Sequence, residues 1–247
     1  MIPIRDDNPQ LGTPIATYVL IALNVAAWFL LQGFGDNISL NASVCDLGLI
    51  PGDVFGDGEG PRYCRGTGTT LGLITHMFMH GSWMHIIGNM WFLWIFGDNV
   101  EDSMGPIRFA IFYLLSGLVA AAAQIASGPE SLVPMVGASG AIGGVMGAYI
   151  VLYPKVKVHM LVFIMTFRVP AIAMLGYWIV MQVLGGLSSM GATGGGTAFW
   201  AHVGGFLAGA LLVLAFKDEE LLITHPYHGW RQKENPADIW QDPSNRQ

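Results

Sequence analysis

Six stretches of this chain stay apolar over lengths that match or approach the thickness of a bilayer's hydrocarbon core: 14–34, 83–96, 107–127, 135–153, 170–187 and 198–216. Arg108, the one charged residue within these bounds, lies at the very edge of the third and counts with the loop before it. The second stretch is short and reaches spanning length only if it starts near His76 or runs on towards Val100. Composition agrees, with 53% hydrophobic and 11% charged residues and a mean hydropathy of +0.50. That charged share is less than half of what a soluble domain carries. The chain reads as an all-α integral membrane protein with six transmembrane helices. No basic block points to nucleic acid.

The boundaries follow from the gaps. Residues 1–13 form an N-terminal arm, 14–216 a six-helix membrane domain with a short fourth helix, and 217–247 a polar tail. The first run lacks the short core and small-residue cleavage site of a secretory leader, so it is expected to stay as an anchor. A long loop over 35–70 holds Leu47, Leu49 and Ile50, too apolar for a bare linker, and is expected to fold against the membrane surface. Cys45 and Cys64 both fall in it; a disulfide and two free thiols are both open. The segment 154–168 sets Lys155, Lys157 and Arg168 around an apolar middle and reads as interfacial or re-entrant.

Of the 11 Lys and Arg, all but Arg62 and Arg65 fall in loops of one side. The positive-inside rule then puts both termini in the cytoplasm; in a bacterial cell the membrane would be the plasma membrane. The second, fourth and sixth spans run inward, and each carries polar residues near its start: His85 and Asn89, Ser139, and His202. The serine is expected about four residues into its span, so the three sets lie at similar depth. Polar groups in hydrocarbon are costly unless satisfied, which turns them to the bundle interior or a wet cavity. Gly140 and Gly144, Gly143 and Gly147, and Gly205 and Gly209 form small-residue stripes at four-residue spacing. Such stripes let helix backbones approach closely; opposed to one another, they would bring Ser139 to His202.

A serine hydroxyl needs a neighbouring base to act as a nucleophile, and His202 is that candidate base. The oxyanion of a tetrahedral intermediate needs fixed donors, which His85, Asn89 and the Ser139 amide could supply. No Asp or Glu lies near the start of these three spans, so a dyad is expected rather than a triad. His76 and His80, four apart, have a spacing that also fits metal ligation. The Gly-x-Ser-x-Gly elbow is not met, because Ala141 fills its last place.

Gly137-Ala138-Ser139-Gly140, the block from His80 through His85 to Asn89, and Ala201-His202 with the run to Gly209 jointly resemble the rhomboid intramembrane serine proteases. The resemblance implies a compact six-helix bundle with a short, central fourth helix. It implies Ser139 as nucleophile, His202 as general base, and His85, Asn89 and the Ser139 amide at the oxyanion site. It further implies transmembrane protein substrates and neither metal nor cofactor. The fifth span is similar to the family's mobile lateral gate, with Trp178 as the candidate gating side chain. Many members carry an aromatic residue four positions after the serine, where Gly143 stands here, and some a Trp-Arg pair in the first loop, where Tyr63-Cys64-Arg65 stands. A non-catalytic relative that binds membrane helices, and a channel using the histidines for protons, are the competing readings. The first would lack the serine or the histidine; the second would show two repeated halves.

Overall fold

The computed structural model describes residues 2–54, 64, 70–189 and 196–228. Arg62, Arg65, the middle of the glycine-rich loop after the fifth span and the tail from 229 to 247 lie outside them. The described chain is mostly helical. It opens with strand β1 (Ile2–Asp6) and helix α1 (Ile15–Leu30). Helix α2 (Asn37–Leu47) and two short turns, α3 (Pro51–Val54) and α4 (Gly72–Thr75), then occupy the first loop. Next come α5 (Trp83–Asp102), α6 (Pro106–Ser127) and α7 (Ser139–Leu152). Strands β2 (Lys157–Val162) and β3 (Met165–Pro170) lead into α8 (Ala171–Ser188), α9 (Phe199–Phe216) and α10 (Glu219–Thr224). Among the described residues, α6, α8 and α9 are long and apolar enough to cross a membrane, and α1 and α7 are apolar but shorter.

Local chemistry sets the helix ends. Ser82 accepts from the His85 N–H and starts α5, which runs past the expected end at Phe96 to Asp102. Gly33-Phe34-Gly35 closes α1 earlier than expected, with positive φ at all three residues. The start of α7 also differs. Met135 pairs its backbone with Leu49 in both directions, and Gly137 sits at φ +122°, a region that suits glycine alone. Helix therefore begins at Ser139, which becomes its first residue rather than its fifth.

Helix α7 is the hub. Every residue from Gly140 to Tyr149 is buried, and α5, α6, α8 and α9 all pack on it. The small-residue stripes do face each other. A methyl added to Gly205 would overlap the Gly140 carbonyl, and one added to Gly209 the Gly144 carbonyl. With no side chain between them, α7 and α9 meet backbone to backbone.

Two further features emerge. Cys45 and Cys64 are joined by a disulfide. The segment read as interfacial or re-entrant is an antiparallel hairpin, β2 with β3, and β1 adds to its other edge in the order β1-β2-β3. Pro3, which has no N–H to offer, is tolerated because β1 is an edge strand. The register shifts between Pro3 and Arg5.

Candidate active site

Ser139 stands in the first turn of α7, where backbone N–H groups have no intrahelical acceptor. Its hydroxyl reaches out of the helix to His202, on the first turn of α9; Oγ and Nε2 are 2.8 Å apart. The close α7–α9 approach is what makes this short distance available to two short side chains. The ring's other nitrogen, Nδ1, lies 2.8 Å from Gln182 Oε1 on α8. An amide oxygen can only accept, so Nδ1 carries the proton and Nε2 presents its lone pair to the serine O–H. The tautomer is the one a general base requires.

The imidazole is held on its face as well. The Trp178 ring lies 5.7 Å from the His202 ring at 38°, and 6.1 Å from Phe206. Trp178 and Gln182 are four apart on α8 and so share a face. Gly143, where an aromatic was missing by comparison with the family, instead lets the α9 backbone close in: a methyl there would stand 3.1 Å from the His202 carbonyl oxygen. Aromatic support comes from α8 instead.

His85 and Asn89 approach from α5. The Gly81 N–H donates to His85 Nδ1 at 3.3 Å, which leaves the ring proton on Nε2. A methyl added at Gly137 would meet His85 Nε2 at 2.7 Å and Asn89 Nδ2 at 3.4 Å. Both groups therefore flank the same spot, two residues before the serine, and only glycine leaves it open. The Asn89 amide nitrogen is buried and makes no hydrogen bond, a costly state for a polar group without a ligand. The five sequence-predicted side chains, Ser139, His202, His85, Asn89 and Trp178, together line one cavity of about 1510 Å³.

The rhomboid-domain family model matches residues 67–218, more than half of the chain. The chain belongs to the rhomboid family. Curated relatives include the rhomboid protease GluP of Bacillus subtilis, 32% identical over 139 residues, which cover 56% of this chain and 25% of that protein. RHOMBOID-like protein 6, mitochondrial, of Arabidopsis thaliana is 28% identical over 67% of this chain and 48% of its own length. Rhomboid protein 1, mitochondrial, of Saccharomyces cerevisiae is 27% identical over 57% and 40%. The chain thus spans less than half the length of these relatives. As a rhomboid with several apolar helices of spanning character, it is an integral membrane protein.

The role of Gln182 was not assigned from sequence, though the residue was visible as a polar side chain in the fifth apolar run. Its spacing from Trp178 was the available signal: an amide and an indole on one face of a span want a common polar neighbour. Which helix supplied that neighbour required the fold.

Proposed function

We propose that this rhomboid is an intramembrane serine endopeptidase that cuts transmembrane segments of other membrane proteins. The observation that carries the reading is the 2.8 Å contact between Ser139 Oγ and His202 Nε2 at the wall of a cavity, with the ring's Nδ1 held by Gln182 Oε1. Ser139 Oγ attacks the scissile carbonyl carbon as His202 Nε2 takes its proton. The oxyanion that forms is met by the Asn89 and His85 side chains and the Ser139 amide. Collapse breaks the C–N bond, and the imidazolium returns the proton to the leaving amine. Water then enters from the cavity and gives a proton to His202 as its oxygen attacks the acyl carbon; the C–Oγ bond breaks, the acid leaves, and His202 returns the proton to Ser139 Oγ.

In this reading α1, α5, α6, α7, α8 and α9 all cross the membrane, with α7 too short to span it alone and sheltered in the middle. Both termini lie in the cytoplasm and the site opens on the opposite side. The Cys45–Cys64 disulfide supports that orientation, because it lies in the loop that leads to the Ser139 end and disulfides persist in oxidising compartments. Helix α8 is the lateral gate, since it buries only Ala171, Met174, Leu175 and Gly186 and is the least anchored of the long helices. Trp178 moves with it.

A fluorophosphonate probe tests the chemistry without knowledge of a substrate. It should label Ser139 in membranes, and labelling should vanish in Ser139→Ala and in His202→Ala while both variants keep the parent's melting transition. Undiminished labelling in Ser139→Ala would assign the nucleophile elsewhere.

A further inference from the structure

The three-stranded sheet lies beside the bundle rather than beyond its end. The Trp91 indole N–H donates to the Pro3 carbonyl at 2.6 Å, whereas the Leu11 and Gly12 N–H groups reach the Asp102 carboxylate. Trp91 and Asp102 are 11 residues apart on α5, so the N-terminal segment descends along that helix by roughly 16 Å. Pro3 pairs with Met160, and Met160 with Phe167. That rung therefore sits about 10 Å nearer the Ser139 end than Asp98, where α5 turns charged. The hairpin tip, Val162 to Met165, lies beyond it. At the hairpin's base, the Ala171 N–H bonds the Val156 carbonyl, which seats β3 directly on the start of α8.

Polarity changes along the hairpin's axis. Arg5, Lys157 and Arg168 are exposed and lie towards the base, with Arg5 and Arg168 on the same rung through His159. From Met160 to Phe167 there is no charge. Phe163 is 95% exposed and Ile164 94%, with Met165 and Phe167 also exposed beside them. Phe163 has φ +55° at the first position of a two-residue turn, where glycine is the unstrained choice. A strained aromatic at that place is left almost fully exposed by the described residues. Apolar tip, basic base and position along α5, proposed above to cross the membrane, together match the profile of one leaflet.

We infer that the β2–β3 hairpin is a lipid-embedded element: Phe163, Ile164, Met165 and Phe167 enter the headgroup–acyl boundary of the leaflet away from Ser139, and Arg5, Lys157 and Arg168 lie among its phosphates. Entry from the boundary also leaves the base of the open β3 edge within reach of water, which the hydrocarbon centre would not allow. The inference rests on the proposed crossing of the membrane by α5 and not on the chain being a protease.

The disulfide helps the test, because no free cysteine is present among the described residues. Ile164→Cys can be labelled with an environment-sensitive nitrobenzoxadiazole dye in vesicles of phosphatidylcholine and phosphatidylglycerol, with Gln10→Cys as a control at the same end. The dye at position 164 should emit to the blue of the control, lose intensity to lipids with a nitroxide near the headgroup, and resist iodide. The control should show the reverse. Phe163→Cys gives a second reading at the adjacent site. Iodide quenching equal to that of Gln10→Cys at both positions, with no loss to nitroxide lipid, would overturn the inference.

Discussion

The two ends of the bundle use polar groups in opposite ways. At the end away from Ser139 they tie elements together. The buried Glu101 carboxylate accepts from the Ala16 and Thr17 N–H groups and the Thr17 hydroxyl, and so caps α1 from α5. Asp102 receives Leu11 and Gly12, Tyr149 donates to Asp6, and His159 meets Asp7 at 2.6 Å. Burial pushes the Asp6 carboxyl up to about 6, and the hydrogen bond to His159 holds Asp7 below the usual carboxylate range. At the Ser139 end the amide of Asn89 is left unpaired beside a cavity, and the hydrogen bonds that do form lead from one residue to the next, Gln182 to His202 to Ser139. Among the described residues the far end completes most of its pairs, with Asn8, Asn99 and the His225 Nε2 as exceptions. The near end holds the Asn89 amide in reserve, as the proposed oxyanion site would require.

This contrast can be broken most sharply at Asn89. If its free amide is kept for an oxyanion, Asn89→Ala should lower kcat by about 10²–10³-fold with little change in KM, a loss of roughly 2.7–4 kcal/mol. Its melting temperature should hold or rise, since a buried unsatisfied group has been removed. Cleavage of a model transmembrane substrate and thermal unfolding in detergent give both readings. A stability loss with unchanged kcat would make Asn89 a structural residue like those of the other end.

Glu101 should behave in the opposite way. Glu101→Ala strands two backbone donors and a hydroxyl at the buried start of α1, and a hydrogen bond to a charged group is worth about 1.5–3 kcal/mol. Unfolding should move to lower denaturant by a stability loss in that range, while the kcat of the proposed protease activity stays at the parent value. A fall in kcat without a fall in stability would show that the two ends are coupled.

These opposed roles explain what could be read from the sequence. Ser139, His202, His85 and Asn89 stand out because each is a polar residue in an apolar run, and membrane cost makes such residues informative. The glycine stripes foretold the α7–α9 contact for the same reason: close backbone approach needs a missing side chain, and that is written in the residue itself. The sheet was harder. Lys157-Val158-His159-Met160 alternates with the period of a strand, but its partner β1 lies some 150 residues earlier in the chain and carries a proline. Met135 and Val136 look like any apolar helix, so the sequence alone starts α7 four residues early. It is the pairing with Leu49 and the conformation of Gly137 that hold the helix back to Ser139.

Gln182 sharpens the comparison most finely, because its hydrogen bond is structural in form but sits at the chemical end. With no carboxylate in the proposed dyad, its Oε1 is placed to hold the Nδ1 proton of His202 and so keep Nε2 free for the serine. Gln182→Leu removes that acceptor at nearly the same volume. The ring then loses its preferred tautomer, and kcat should fall by about tenfold, or ~1.4 kcal/mol, the size of one ordinary hydrogen bond. KM should not change, because substrate does not rely on the buried Nδ1 side of the ring. Gln182→Glu, which still offers an oxygen to Nδ1–H, should recover most of the rate, and Gln182→Met, which fills the space without an oxygen, should not. Equal recovery by Met and Glu would mean that α8 supports the imidazole through packing alone, with Trp178 as the sufficient contact.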